Sequence, residues 1–254
     1  MRERLTRRGL LGAGVLGTGS LLLAGCDRLN RSETFRGLLE DAEIAHRESQ
    51  RLITGGALAP EYAVRDLSPN FRANGNRTAA GDAAWDAHAA RNFADWKLRI
   101  DGLVLNPLDL ALDTLRSMEQ RTQITRHDCV EGWSAIGQWT GPQLGPILRA
   151  ANLLPAARYL VFHCADRFGD TPYYESIDLF DAYHPQTILA WAMNGAPLPV
   201  KHGAPLRLRV ERQLGYKHAK YVMRIEARAS LAGLYGGKGG YWEDRSAYAW
   251  YAGI

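Results

Sequence analysis

His127-Asp128-Cys129-Val130-Glu131-Gly132-Trp133-Ser134 follows a stretch, Gln123 to Cys129, whose residues read as a strand, and Gly132 marks a turn directly after it. A cysteine just past a strand end can put its sulfur into a cleft. A soft thiolate there suits a transition metal better than a hard cation. One cysteine does not make a zinc site, and His127, two residues away on the same strand face, completes no tetrahedron. The chain has no CxxC, HExxH, Gly-x-Ser-x-Gly or Walker loop. Cys129 as a nucleophile with His127 as its base lacks an identifiable orienting third residue. A buried structural thiol, or a disulfide with Cys164, is equally open on residue types alone.

Outward from this turn, strands and short helices mix without regular alternation. Trp96 to Ile100 alternates apolar and polar residues before the Asp101-Gly102 turn, predicting a strand. Leu108 to Met118 predicts a helix behind Asn106-Pro107. Gly141-Pro142 opens another helix that ends near Asn152, and Arg158 to Cys164 predicts a buried strand. Glu175 to Phe180, Ala204 to Glu211 and Tyr221 to Arg228 are further strand-like runs. In the second of these, Leu206, Leu208 and Val210 alternate strictly with Arg207, Arg209 and Glu211. The expected class is α+β with mixed or antiparallel sheets and short helices.

The N-terminus carries an address. Thr6-Arg7-Arg8-Gly9-Leu10-Leu11 resembles a twin-arginine export signal, which implies transport of a folded protein. Leu23-Ala24-Gly25-Cys26 resembles a lipobox, which implies cleavage before Cys26 and lipid on its sulfur, anchoring the protein to a membrane on the periplasmic side. Residues 1–25 are thus expected to be a signal peptide and 26–67 a tether with an N-terminal helix. That helix rests on Phe35, Leu38, Leu39 and Ala42 at helical spacing, and it stops at Gly55-Gly56. Residues 68–254 form the expected catalytic domain, approached through an extended segment from Ala59-Pro60.

The whole chain is 46% apolar and 23% charged, the balance of a globular protein with a real core. Its formal charge of +4 owes much to Arg2, Arg4, Arg7 and Arg8 of the leader, so the mature part is close to neutral. That argues against nucleic acid as a partner, which would call for a strongly basic patch.

Several polar residues gather near Gly and Pro turns. Asn194-Gly195-Ala196-Pro197 and Lys201-His202-Gly203-Ala204-Pro205-Leu206-Arg207 flank a short link, and Arg207 offers a planar fork suited to phosphate. Gly215-Tyr216-Lys217-His218-Ala219-Lys220 sets two lysines and a histidine beside a glycine turn, a plausible anion cradle.

In order and spacing these segments, with Asp181-Ala182-Tyr183-His184-Pro185-Gln186-Thr187, resemble the molybdopterin domain of the sulfite oxidase family. The similarity spans roughly Ser68 to Ile254 and falls nearest the exported subgroup that includes a periplasmic methionine sulfoxide reductase. It implies a molybdenum–molybdopterin cofactor with Cys129 as the protein's metal ligand. It implies that His202, Arg207, His218, Ala219 and Lys220 hold the pterin and its phosphate, and that Cys164 takes a cofactor-contacting position held by threonine in the reductase. Arg72 and Asn74, in Phe71-Arg72-Ala73-Asn74, match a strip lining the cofactor, with Arg72 also near substrate. Tyr248, six residues after Trp242, matches the family's active-site tyrosine, with Tyr251 as fallback.

No immunoglobulin-like dimerisation domain follows and no haem motif occurs, so the resemblance implies a monomer with a separate electron partner, a haem protein or a quinone-linked membrane subunit. The expected activity is oxygen-atom or two-electron transfer on a small sulfur-containing or related oxide substrate. Cations at the pocket mouth, for which Arg72, Arg167 and Arg245 are candidates, would suit sulfite; a more neutral pocket would suit a sulfoxide. The alternative is a lipoprotein that binds a ligand or partner without catalysis.

Overall fold

The computed structural model describes Leu29 and residues 31–254. The leader and Cys26 lie outside the described residues. Two compact units divide the chain at Gly55/Gly56. The described part of the first is helix α1 (Glu33–Thr54), none of whose residues is buried. Ser32 caps it by accepting from Phe35 N at 3.4 Å, and Gly55, at φ 51, returns its N–H to Arg51 O at 2.8 Å. Among the described residues no helix is long and apolar enough to cross a membrane.

The second unit, Gly56–Ile254, holds three sheets. The largest contains β1 (Lys97–Gly102), β2 (Leu108–Ala111), β5 (Tyr159–Phe168), β6 (Thr171–Asp178) and β11 (Val222–Arg228), in the order β2-β1-β11-β5-β6. Only β1 and β11 run parallel in it. A second, antiparallel sheet orders β3 (Gln120–Asp128), β4 (Ser134–Pro142), β8 (Ala192–Met193) and β9 (Ala196–Pro197). A short pair joins β7 (Ile188–Ala190) to β10 (Arg207–Arg209). Short helices complete the unit: α2 (Ala83–Ala89), α3 (Leu112–Ser117), α4 (Leu144–Ala151), α5 (Leu179–Ala182) and α6 (Tyr241–Ser246). This is the α+β architecture expected.

The main core places Leu98, Ile100, Leu160, Phe162 and Ile225 of the large sheet against Leu144, Ile147 and Leu148 of α4, all 2% exposed or less. Apolar burial on this scale supplies the main folding drive. Leu206, Leu208 and Val210 join this core, so the alternation seen in the sequence is real. Its other face is not solvated, however: Arg207, Arg209 and Glu211 are also buried.

Three local expectations need correction. Leu108 to Met118 divides into β2 and α3, because Leu108-Asp109-Leu110-Ala111 alternates with period two and pairs with β1 from Lys97↔Ala111 to Ile100↔Leu108. Residues 57–67, expected to belong with the tether, are held by the compact unit: Glu61 bridges Thr125, Tyr62 N donates to Ile124 O at 2.9 Å, and Ala59 N donates to Gln186 Oε1 at 2.7 Å. The compact unit therefore starts earlier than residue 68. Strand β4 escaped prediction because glycines hide its period. Ala135, Gly137, Trp139 and Gly141 alternate inward, and a Cβ on Gly137 would lie 3.0 Å from the Phe71 ring. One on Gly141 would lie 2.0 Å from Leu189 O, so the approach of β7 requires glycine.

Candidate functional site

A cavity of about 460 Å³ opens where the turn after β3 meets three other segments: residues 71–76, the loop before β10, and residues 215–220. Trp242 of α6 and Tyr248 beyond it close one side. Its size suits a small-molecule or cofactor site.

The turn after β3 is tight. Cys129 N donates to Trp133 O and Gly132 N donates to Cys129 O, both at 2.9 Å, and Gly132 takes φ 82, a region a side chain would strain. Cys129 is 9% exposed, and its Sγ accepts from Asn74 Nδ2 at 3.2 Å. Both cysteines in the unit are free, which removes the disulfide reading.

Below the sulfur lies a layer of buried positive charge. Arg207 donates from Nη1 to His202 O at 3.1 Å and from Nη2 to His218 O at 3.4 Å, with its guanidinium 4.8 Å from the Trp139 ring centre. Lys220 Nζ donates to Asn74 O at 2.8 Å and to Asn76 O. Asn76 Nδ2 in turn donates to Asp166 Oδ2 at 2.9 Å. Arg209 and Glu211 form a fully buried pair at 2.5 Å, and Arg209 Nη1 donates to His127 Nδ1 at 3.0 Å. Since guanidinium only donates, His127 carries its proton on Nε2.

This crowding shapes the ionisation of His127, His202, Arg207, His218 and Lys220. Burial, then Arg207, lowers His202 to about 4; burial, then Arg209, lowers Arg207 to about 9. Burial, then Arg207, lowers Lys220 to about 8. Burial and Arg209 hold His127 and His218 well below the ordinary imidazole range. Asp166 is raised to about 6, because burial outweighs its bond from Asn76 and the attraction of Lys220. In this layer Arg207, Arg209 and Lys220 outnumber the carboxyls of Glu211 and Asp166.

Unpartnered atoms lie in the same layer. Among the described residues, Arg207 Nε, His218 Nδ1 and Asp166 Oδ1 are buried without a hydrogen-bond partner. His218 Nε2 already donates to Gln213 O at 3.0 Å. Buried polar groups are normally satisfied, so this set asks for a ligand with both acceptor and donor edges. A phosphate-bearing pterin has both, and the residues present fit it.

Lys220 gives a pH test of the layer. Its folded pKa lies below the ordinary 10.5, so its charge costs stability up to pH about 8, and the cost fades as pH rises from about 8 toward 10.5. In cofactor-free protein the urea midpoint of Lys220→Met should therefore rise less than wild type between pH 7.5 and 10, or fall more. Parallel pH profiles would show that Lys220 is not destabilised by its setting.

Of the residues singled out in the sequence, Cys129, Arg72, Asn74, His202, Arg207, His218, Lys220 and Tyr248 line this one cavity. Ala219, fully buried, and Cys164 lie outside its lining, although both belong to segments that reach it. Of the two lysines read as a cradle, only Lys220 lines the cavity; Lys217 turns to Glu175 and Glu243. Arg167 and Arg245 do not line it either: they bond Asp170 O and Thr171 Oγ1. Arg72 does, exposed, with its guanidinium 5.8 Å from the Trp133 ring. Sequence reasoning missed Asp166, Asn76 and the Arg209–Glu211 pair. Asp166 was findable, two residues after Cys164 on one strand.

A sulfur-headed pocket over a buried cationic layer, on this fold, defines a molybdopterin-dependent oxidoreductase. Residues 86–232 match the oxidoreductase molybdopterin-binding domain, and the chain belongs to that family. It is 35% identical over 251 residues to a protein of Azospira oryzae named as a protein-methionine-sulfoxide reductase subunit, YedZ1, covering 99% of this chain and 89% of that one. It is also 36% identical over 144 residues to the protein-methionine-sulfoxide reductase catalytic subunit MsrP of Xanthomonas campestris pv. campestris, covering 52% of this chain and 45% of that protein. Among solved structures, the sulfane dehydrogenase SoxCD of Paracoccus pantotrophus shares the fold at a TM-score of 0.50 and 20% identity, over 69% of this chain and 46% of that one.

Proposed function

We propose that this chain is a molybdenum–molybdopterin sulfoxide reductase, with methionine sulfoxide and small sulfoxides as its substrate class. The observation that carries this reading is Cys129 Sγ, held by Asn74 at 3.2 Å at the head of a cavity whose buried Arg207 Nε and His218 Nδ1 have no partner. Cys129 would ligate the metal, and Arg207, His218 and Lys220 would hold the phosphate and pterin. Asn74 would keep the sulfur oriented by its amide. When bound, the cofactor supplies a two-electron change and an oxygen-atom acceptor or donor. The chain's own part is to fix that group, exclude water and present substrate to it.

The mouth supports a sulfoxide over sulfite. Of the three arginines considered for an anionic substrate only Arg72 lines the cavity, whereas Trp133, Phe168, Trp242 and Tyr248 make an aromatic wall. Such a wall suits a neutral, polarisable sulfur group. Tyr248 would offer its hydroxyl to the substrate oxygen. The names of the relatives support the same substrate class.

By the same reading the protein works in the periplasm, exported through Arg7-Arg8 and tethered by lipid on Cys26, and draws electrons from a separate haem or quinone-linked subunit. The test is a substrate panel on metal-loaded protein, with a reduced dye as donor for the sulfoxides and an oxidised dye as acceptor for sulfite. Turnover of methionine sulfoxide and dimethyl sulfoxide, with molybdenum near one per chain, is expected; oxidation of sulfite with no sulfoxide turnover would overturn the reading.

A further inference from the structure

Behind the aromatic wall sits a second charged cluster that no part of the cofactor reading uses. Lys217, Glu175 and Glu243 are each 0% exposed, and they come from the turn Gly215–Lys217, from β6 and from α6. Lys217 Nζ donates to Glu175 Oε1 and, at 2.7 Å, to Glu243 Oε1. Glu175 Oε1 also accepts from Ser176 N at 2.8 Å. The two carboxyl groups close over Gly240, where a Cβ would lie 2.0 Å from Glu243 Oε2 and 2.7 Å from Glu175 Oε1. Among the described residues the Oε2 atom of each has no partner.

The charges do not balance as drawn. One ammonium against two carboxylates leaves a buried negative charge, which a protein interior does not tolerate unpaired. One proton on one of the two carboxyls makes the cluster neutral and turns one unpartnered oxygen into a donor.

None of the three side chains lines the cavity, but their chain neighbours do: Tyr216 and His218 flank Lys217, Trp242 precedes Glu243, and Tyr173 shares the strand face of Glu175. Tyr173 donates to Tyr216 O at 2.8 Å, while Tyr248 meets Tyr216 edge-on at 5.0 Å and stacks on Trp242 at 5.9 Å.

We propose that Lys217, Glu175 and Glu243 are positioning residues that share a single proton and thereby lock three segments into the aromatic wall against which substrate seats. The seating of substrate rests on the sulfoxide reading above; the proton and the lock do not. Burial, then Glu243, raises Glu175 well above the carboxylate range, and the two carboxyls outweigh burial to keep Lys217 charged. Tyr173, Tyr174 and Cys164, which also feel these charges, are pushed up by burial and stay neutral. Asp244 on α6 faces away, accepting from Tyr174 and from Gly236 N and Lys238 N.

The test compares Glu175→Gln, Glu243→Gln, the double Gln variant and Lys217→Met in the full chain. Either single Gln leaves one ammonium and one carboxylate, a neutral pair. Both single variants should have a urea midpoint at pH 7 equal to or above that of the wild type. They should also lose the fall in stability that a raised carboxyl imposes as pH climbs from the ordinary carboxylate range through its folded pKa. The double variant strands an ammonium and Lys217→Met strands two carboxyls, so both should lower the midpoint. They should also increase acrylamide quenching of the fluorescence that Trp242→Phe removes, and raise KM for methionine sulfoxide about tenfold with kcat within about twofold. Single variants as damaged as Lys217→Met would overturn the shared proton. A lowered midpoint with unchanged KM and quenching would reduce the cluster to plain scaffolding and overturn the positioning role. If Lys217→Met does not fold, the contrast between single and double Gln variants decides. If the wild type does not turn over sulfoxide, the substrate reading has failed, and midpoints and quenching alone decide the inference.

Discussion

Cys129→Ser is expected to collapse turnover by roughly 10³-fold, equivalent to about 4 kcal/mol in the barrier, while leaving the fold and most of the bound pterin in place. The backbone gives no reason for collateral damage: the bonds Cys129 N to Trp133 O and Gly132 N to Cys129 O do not involve the side chain. Serine can still accept from Asn74. What changes is the donor, from a soft sulfur to a harder oxygen that gives up its proton reluctantly. The groups that would hold the pterin, Arg207, His218 and Lys220, come from other segments and keep their positions. Cys164→Ser is the control. Its thiol is free, burial holds it protonated, and Sγ makes only a weak contact with Phe162 O at 3.7 Å, so activity should stay within about threefold of wild type. Turnover, pterin content and the metal's spectrum, measured on the same preparations, separate the cases. Equal loss in both variants would refute the assignment of the metal to Cys129.

The strand-and-turn around Cys129 was legible because its signals are local: a strand, a glycine at positive φ, and a cysteine at the seam. The same holds for β1, α4 and β11, each with its own period and stop signal. The α4 stop is concrete, since Asn152 takes φ 55 as the left-handed cap. What failed depended on distant chain. Strand β4 hides behind Gly137 and Gly141, whose missing side chains make room for Phe71 and β7, and no local pattern announces a neighbour. Leu108-Asp109-Leu110-Ala111 became a strand because β1 offered it an edge. In the site, the alternation of Arg207, Arg209 and Glu211 was visible and Arg207 stood out as a phosphate fork, but nothing local marked Arg209 and Glu211 as buried beside it. Only the packing of β10 over Trp139, with Arg207 and Arg209 at 4.8 and 4.3 Å from its ring, buries that face and turns it into a ligand-directed layer. Composition cannot distinguish a surface arginine from one held at 4% exposure.

That burial gives Arg207 the second large effect, and its sign separates binding from folding. Arg207 is held against its own preference: burial and the nearby Arg209 lower it to about 9, and its Nε–H has no partner. A group kept charged, buried and partly unsatisfied is a cost to the cofactor-free fold, the pattern of a residue retained for function. Phosphate would reverse each item by supplying the negative charge and the missing acceptor. Charge-assisted hydrogen bonds contribute about 1.5 to 3 kcal/mol each, so losing two should weaken cofactor retention by roughly 10² to 10⁴-fold. Arg207→Ala should therefore lose cofactor on dilution while the cofactor-free protein unfolds at the same urea concentration as wild type or a higher one. The lost contacts to His202 O, His218 O and the Trp139 ring work against this gain, and relief from Arg209 works for it. Arg207→Lys sharpens the test, since it keeps the charge but not the planar fork. Its retention should fall between wild type and alanine. Unchanged cofactor content in Arg207→Ala would mean that the buried layer serves the fold alone.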